Sequence, residues 1–104
     1  MSVYRNSDLV TACRMLPCQH CGADDGTVVG AHSNQLRDGK GRGIKAHDCR
    51  VAALCASCHS EIDQGSRLTR YERIEMFEEA WRATMIEFFT RGWLAYTGPK
   101  WSQG

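Results

Sequence analysis

The chain reads as a small α+β domain: a short helix, then strand, long loop, strand and helix, and finally a long amphipathic helix. Three observations predict this. Two Cys-X-X-Cys pairs, Cys18/Cys21 and Cys55/Cys58, stand before the first strand and where the second strand runs into a helix. Two short runs, residues 27–32 and 51–54, have the β-branched or apolar composition of strands. Thr69-Arg70-Tyr71-Glu72 has the form of a capping box, and a helix follows it to about Arg91.

Taken in order, residues 6–15 begin with good N-cap types and place Leu9, Ala12, Cys13 and then Leu16 on one face, predicting a short helix. Pro17 ends it and leads into the first cysteine knuckle, where Gly22 suits a tight turn that aims backbone N–H groups at sulfur. Asp24-Asp25-Gly26 is a turn signal. The strand over 27–32 then ends at His32. Residues 33–50 form a long loop rich in glycine, lysine and arginine, and loops of that length in small domains are more often functional than idle. The strand over 51–54 enters the second knuckle, and the helix begun there carries His59 as far as Gln64, with Gly65 as its stop. In the last helix Tyr71, Ile74, Phe77, Trp81, Met85, Phe88 and Phe89 form one apolar stripe, read as core, and Gly92 closes it. Residues 1–97 make a single domain and 98–104 a loose tail. No internal repeat occurs beyond the two knuckles.

A chain of 104 residues supports one small domain with a modest core. A core of that size contributes roughly 3–5 kcal/mol. A structural Zn²⁺ at the four knuckle thiolates, worth about 10–16 kcal/mol in zinc-finger peptides, would outweigh it and become a condition of folding. Six cysteines also fit a secreted disulfide scaffold, but the paired C-X-X-C spacing and the lack of an apolar leader in residues 1–16 favour metal thiolates in a reducing cytoplasm. Cys13 and Cys49 are left over and read as buried or half-buried small side chains. No apolar run reaches the ~18 residues of a membrane span. The net charge of +1 is too small to announce a nucleic-acid binder, yet residues 36–50 gather Arg37, Lys40, Arg42, Lys45 and Arg50 against Asp38 and Asp48. A loop of glycines and cations suits phosphate contact, because glycine lets backbone approach phosphate oxygens while the cations neutralise them.

The chemistry concentrates in three residues. His32 ends the first strand, His59 stands on the first turn of the following helix, and Asp63 lies one turn further at i+4. His59 and Asp63 therefore point the same way and can share a divalent ion, Mg²⁺ or Mn²⁺. A neutral imidazole can take a proton from an attacking water, and an ion with open positions can stabilise phosphate and leaving oxygens. A lone histidine at a strand end is more often a hydrogen-bonded structural residue; in this company His32 reads as the base. His20 and His47 read as solvent-facing.

The run Gly30-Ala31-His32, with Cys55-Ala56-Ser57-Cys58-His59-Ser60-Glu61-Ile62-Asp63 and the knuckle at Cys18/Cys21, resembles the HNH (ββα-metal) nuclease superfamily. Over roughly residues 10–94 it is closer still to the small nuclease-like proteins of lambdoid phages and prophages. The resemblance implies a zinc-braced HNH-like core and metal-dependent cleavage of DNA in phage recombination or DNA processing. It makes His32 the general base, His59 the metal-binding histidine and Asp63 the second helix ligand. Asp48 becomes the candidate for the middle position that orients the base, with Asn34 a distant one. Ala31 departs from the pattern, since many members carry a metal ligand there. The rival class is a non-catalytic zinc module that binds DNA or a protein, supported by the same knuckles and by Trp93, Tyr96 and Trp101. A monomer and a homodimer joined through the aromatic helix are both compatible with the sequence.

Overall fold

The computed structural model describes residues 3–100. Helix α1 (Ser7–Ala12) runs into a 3₁₀ turn at Cys13–Met15. Strands β1 (Val29–His32) and β2 (Val51–Leu54) form an antiparallel two-stranded sheet, followed by α2 (Ala56–Gln64) and the long α3 (Arg70–Thr90). The register pairs Gly30 with Ala53 and His32 with Val51. No helix among the described residues is long and apolar enough to cross a membrane.

The sheet is covered on both sides, which explains why all four residues of β2 are buried. α1 packs closely on β1, and a Cβ at Gly30 would sit 2.8 Å from the Val10 carbonyl oxygen, so only glycine permits the approach. On the far edge of β2, the Ala53 carbonyl accepts from Gln19 N–H at 2.9 Å and the Ala53 N–H donates to Thr84 Oγ1 of α3 at 3.0 Å. Thr84 is a buried polar residue because a buried strand N–H needs an acceptor. The first knuckle and α3 are thus both hung on β2.

Local signals place the ends of the helices. Asn6 caps α1 by accepting from Leu9 N–H, and Thr69 and Glu72 form the reciprocal capping box of α3. α3 ends at Gly92, whose φ of 76° closes a Schellman motif: Trp93 N–H bonds to Phe88 carbonyl at 2.9 Å and the Trp93 ring lies 5.8 Å from the Phe88 ring. Gly65 ends α2 differently. Its backbone is extended, and a Cβ there would be 2.3 Å from the Glu61 carbonyl oxygen.

Several expectations are corrected. The first strand starts at Val29 and not at residue 27, because Thr27 is held in a turn by Asp25 (Oγ1–Oδ1 2.6 Å) while accepting the Ala56 N–H at the start of α2. The stripe of α3 is narrower than its spacing suggests. Tyr71 and Phe89 are exposed, and the inward line is Phe77, Ala80, Thr84 and Phe88, packed against the small alanines of β2. Cys13 is buried as expected, whereas Cys49 is exposed. His47 is not solvent-facing: it is half-buried, and its Nδ1 accepts the Tyr4 N–H at 2.9 Å. Of the expected loose tail, residues 101–104 lie outside the described residues. Nearer the domain, the Tyr96 hydroxyl donates to the Pro99 carbonyl.

Candidate metal centre and active site

The first knuckle closes through Gly22, whose φ of 81° lets its N–H reach the Cys18 carbonyl at 2.9 Å while Cys21 N–H points at the Cys18 sulfur at 3.5 Å. The second knuckle uses the start of α2: Cys55 is its N-cap and Cys58 lies in its first turn. β2 brings the two together. The four sulfurs of Cys18, Cys21, Cys55 and Cys58 lie within 4.8 Å of one another, and no cysteine is in a disulfide. Cys21 Sγ and Cys55 Sγ are 3.7 Å apart, close to the edge of about 3.8 Å expected for sulfurs bound tetrahedrally to zinc at ~2.3 Å.

The electrostatics of the four thiols agree. Burial pushes Cys18 upward, but N–H groups of Cys21, Cys55 and His20 outweigh it and bring the thiol down to about 6. Cys58 is pushed well above its ordinary value by burial and by the neighbouring sulfurs. The Cys18 thiolate forms readily, while burial and the adjacent sulfurs hold Cys58 in its thiol form. A bound dication removes that conflict, so the donor set fits a structural metal such as zinc.

At the opposite end of β1, His32 Nε2 lies 2.7 Å from Asp48 Oδ1. Asp48 is nearly buried and fully engaged: Arg5 Nη1 donates to Oδ1 at 3.1 Å and the Asn6 N–H to Oδ2 at 2.7 Å. Burial alone would raise this carboxyl; the bonds from His32 and Asn6 and the charge of Arg5 pull it below its ordinary value. An ionised carboxylate can only accept, so Nε2 donates in this bond and Nδ1 is the ring nitrogen left for another partner.

On the exposed face of α2, His59 Nε2 and Asp63 Oδ2 are 3.0 Å apart. Two adjacent donors of an octahedral ion bound at about 2.1 Å are separated by about 3 Å, so this pair fits a hard divalent cation with most positions left to water or substrate. Asn34, two residues beyond His32, donates to Asp63 Oδ1 at 2.7 Å. Segment and helix are thereby joined, and Asp63 is held through the oxygen that His59 does not face. Ala31 is buried on the other side of the strand from His32, so that position offers the pair no third ligand.

The loop over residues 33–50 is built, not slack. A 3₁₀ turn at Leu36–Asp38 leads to Gly39 at φ 91°, where a Cβ would strike the His47 ring at 2.9 Å, and a tight hairpin closes between Gly41 and Ile44. Arg50 is the clear correction among the expected phosphate contacts. Its guanidinium bridges Asp38 at 3.0 Å and Glu78, and lies 4.3 Å from the Trp81 ring, all inside the domain. Arg37 also reaches Glu78, at 3.3 Å, though it is largely exposed. Arg42 and Lys45 are exposed and Lys40 is half-buried.

Two contributors carried little or no signal in the sequence. Arg5, at the edge of the first helix, holds the Asp48 carboxylate from a distance of 43 residues along the chain. Asn34, a distant candidate by resemblance for the position that orients His32, contacts Asp63 instead. Comparisons with protein-family models, curated proteins and solved structures find no match.

Proposed function

We propose that the protein is a metal-dependent endonuclease of the HNH (ββα-metal) type, hydrolysing DNA phosphodiester bonds in phage or prophage DNA processing. The observation that carries the reading is the Asn34–Asp63 bond, which fastens the segment leaving His32 to the helix face bearing His59. A base and a metal pair drawn from separate elements have no shared purpose in a plain binding module.

In this reading Asp48 accepts the Nε2–H of His32 and fixes the ring, so that Nδ1 takes a proton from a water attacking phosphorus. Arg5 and the Asn6 N–H keep Asp48 ionised and still. His59 and Asp63 would hold Mg²⁺ or Mn²⁺, which supplies charge stabilisation to the phosphate and to the departing 3′ oxygen. The products are a 5′-phosphate and a 3′-hydroxyl. Arg37, Lys40, Arg42 and Lys45 are offered to the DNA backbone; Arg50 is withdrawn from that role. No helix offers an evident base-reading face, so low sequence specificity is expected.

The burial of Ala31 favours the second reading, a zinc-stabilised DNA- or protein-binding module, because it leaves the ion two protein donors. Plasmid nicking with Mg²⁺ or Mn²⁺ separates the two. Cleavage by wild type, lost in His32→Ala and His59→Ala, supports the nuclease. Equal nicking by all three proteins would trace it to a contaminant, and DNA binding without cleavage under either metal would leave the module.

A further inference from the structure

A groove of about 290 Å³ opens beside the His59–Asp63 pair, with Asn34, Asp63, Ile62, Arg70, Arg73 and Ile74 in its walls. Arg70 and Arg73 stand three residues apart on the first turn of α3 and so share a face. Among the described residues, Arg5, Arg37, Arg50, Arg67 and Arg91 are each paired with a carboxylate; Arg14, Arg42, Arg70, Arg73 and Arg82 are not, and of these Arg70 and Arg73 line the groove. The Arg73 Nε is shielded from solvent and finds no acceptor in the protein. The terminal nitrogens of Arg73 are neither shielded nor bonded to another described residue, and an anion seated in the groove would supply them with acceptors.

We propose that Arg70 and Arg73 form a phosphate subsite for the DNA strand, one step along from the phosphate at the His59–Asp63 pair. Guanidinium groups suit this task because their forked donors match phosphate oxygens. Ile62 and Ile74 give the groove an apolar wall, which accepts a sugar or base and repels further charge. Asp63 also borders the groove, and its carboxylate opposes an anion there unless a cation shared with His59 offsets the charge. The inference deepens the nuclease reading, yet it can be tested apart from cleavage.

The test measures fluorescence anisotropy of a short labelled oligonucleotide, single-stranded and duplex, with the His32→Ala protein in Mg²⁺. Adding Arg70→Ala and Arg73→Ala together is expected to weaken the tighter-binding form about tenfold and to lower its log–log salt slope by about 1–2. Replacing instead the exposed Arg14, which borders a different cleft, should weaken it less than threefold. Zinc content and thermal midpoint report whether the double variant is folded, and Arg70→Glu, on an exposed residue, repeats the measurement without touching the buried Nε. Unchanged affinity and slope in folded Arg70→Glu and in the double variant would overturn the subsite, as would displacement of the oligonucleotide by an equal concentration of inorganic phosphate. Loss of binding in these variants, combined with no cleavage by wild type, would keep the subsite and remove the nuclease. Normal binding in them alongside His32-dependent cleavage would do the reverse.

Discussion

Cys58 and His59 are neighbours on one helical turn, yet they belong to two unlike places. The four-sulfur cluster is closed: every donor is soft, three of the four residues are buried, and tetrahedral coordination leaves no vacancy. The His59–Asp63 pair is open, about a third exposed, with one nitrogen and one oxygen and room around them. A closed thiolate site suits a resident structural ion, whereas a sparse hard-donor site suits an ion that keeps water and can meet a phosphate. The same short helix therefore serves stability on one side and, in the proposed reading, chemistry on the other.

The largest effect should come from the closed site. Cys55→Ser is expected to abolish zinc binding and with it the folded state, since about 10–16 kcal/mol of metal binding exceeds the core's own contribution. Metal analysis and far-UV circular dichroism read this directly, and a folded, zinc-free variant would dissolve the contrast. His32→Ala should differ: zinc content stays put and the fold survives with a midpoint lowered by the lost Asp48 bond, worth about 1–3 kcal/mol, while Mn²⁺-dependent nicking falls about 10²–10⁴-fold.

Asp48→Asn lies between these extremes, because it touches both stability and the base. Losing the charged acceptor shared by Arg5, Asn6 and His32 should cost about 1–3 kcal/mol, measurable by urea unfolding. The sign with pH follows from the depressed carboxyl. Stability from Asp48 is fully present above the ordinary carboxylate value of about 3.9 and is lost as pH falls through the lower folded value. Wild type should therefore lose midpoint temperature faster than Asp48→Asn as the medium is acidified below about pH 4. Parallel curves would show that the carboxylate contributes nothing to folding. The smallest stability effect is expected from Asp63→Asn on the open face, within about 0.5 kcal/mol of wild type. Its Mn²⁺ affinity, followed by calorimetry on zinc-loaded protein, should nonetheless drop markedly.

The elements that could be read in the chain are those written in short-range pattern. The C-X-X-C spacings, the Thr69–Glu72 capping box, the strand over 51–54 and the glycine stops at Gly65 and Gly92 each depend on residues a few positions apart. The i,i+4 placement of His59 and Asp63 is legible for the same reason. Local pattern fails where a distant partner intervenes. In sequence Arg50 is one more cation in a basic loop, yet Glu78, 28 residues on, pairs with it inside the domain. Tyr71 and Phe89 fit the apolar stripe, but β2 is only four residues wide and cannot cover both ends of a 21-residue helix.

By itself the sequence determined the four-thiolate set, the order of elements and the polar pair on α2, because covalent spacing and helical period already dictate which of those atoms can meet. Tertiary structure alone decided which carboxylate receives His32, that Asn34 anchors Asp63, and which arginines remain unpaired. Those outcomes join residues 16, 29 and more positions apart. They depend on how α1, the loop and α3 close around one short sheet, and that closure has no local pattern to announce it.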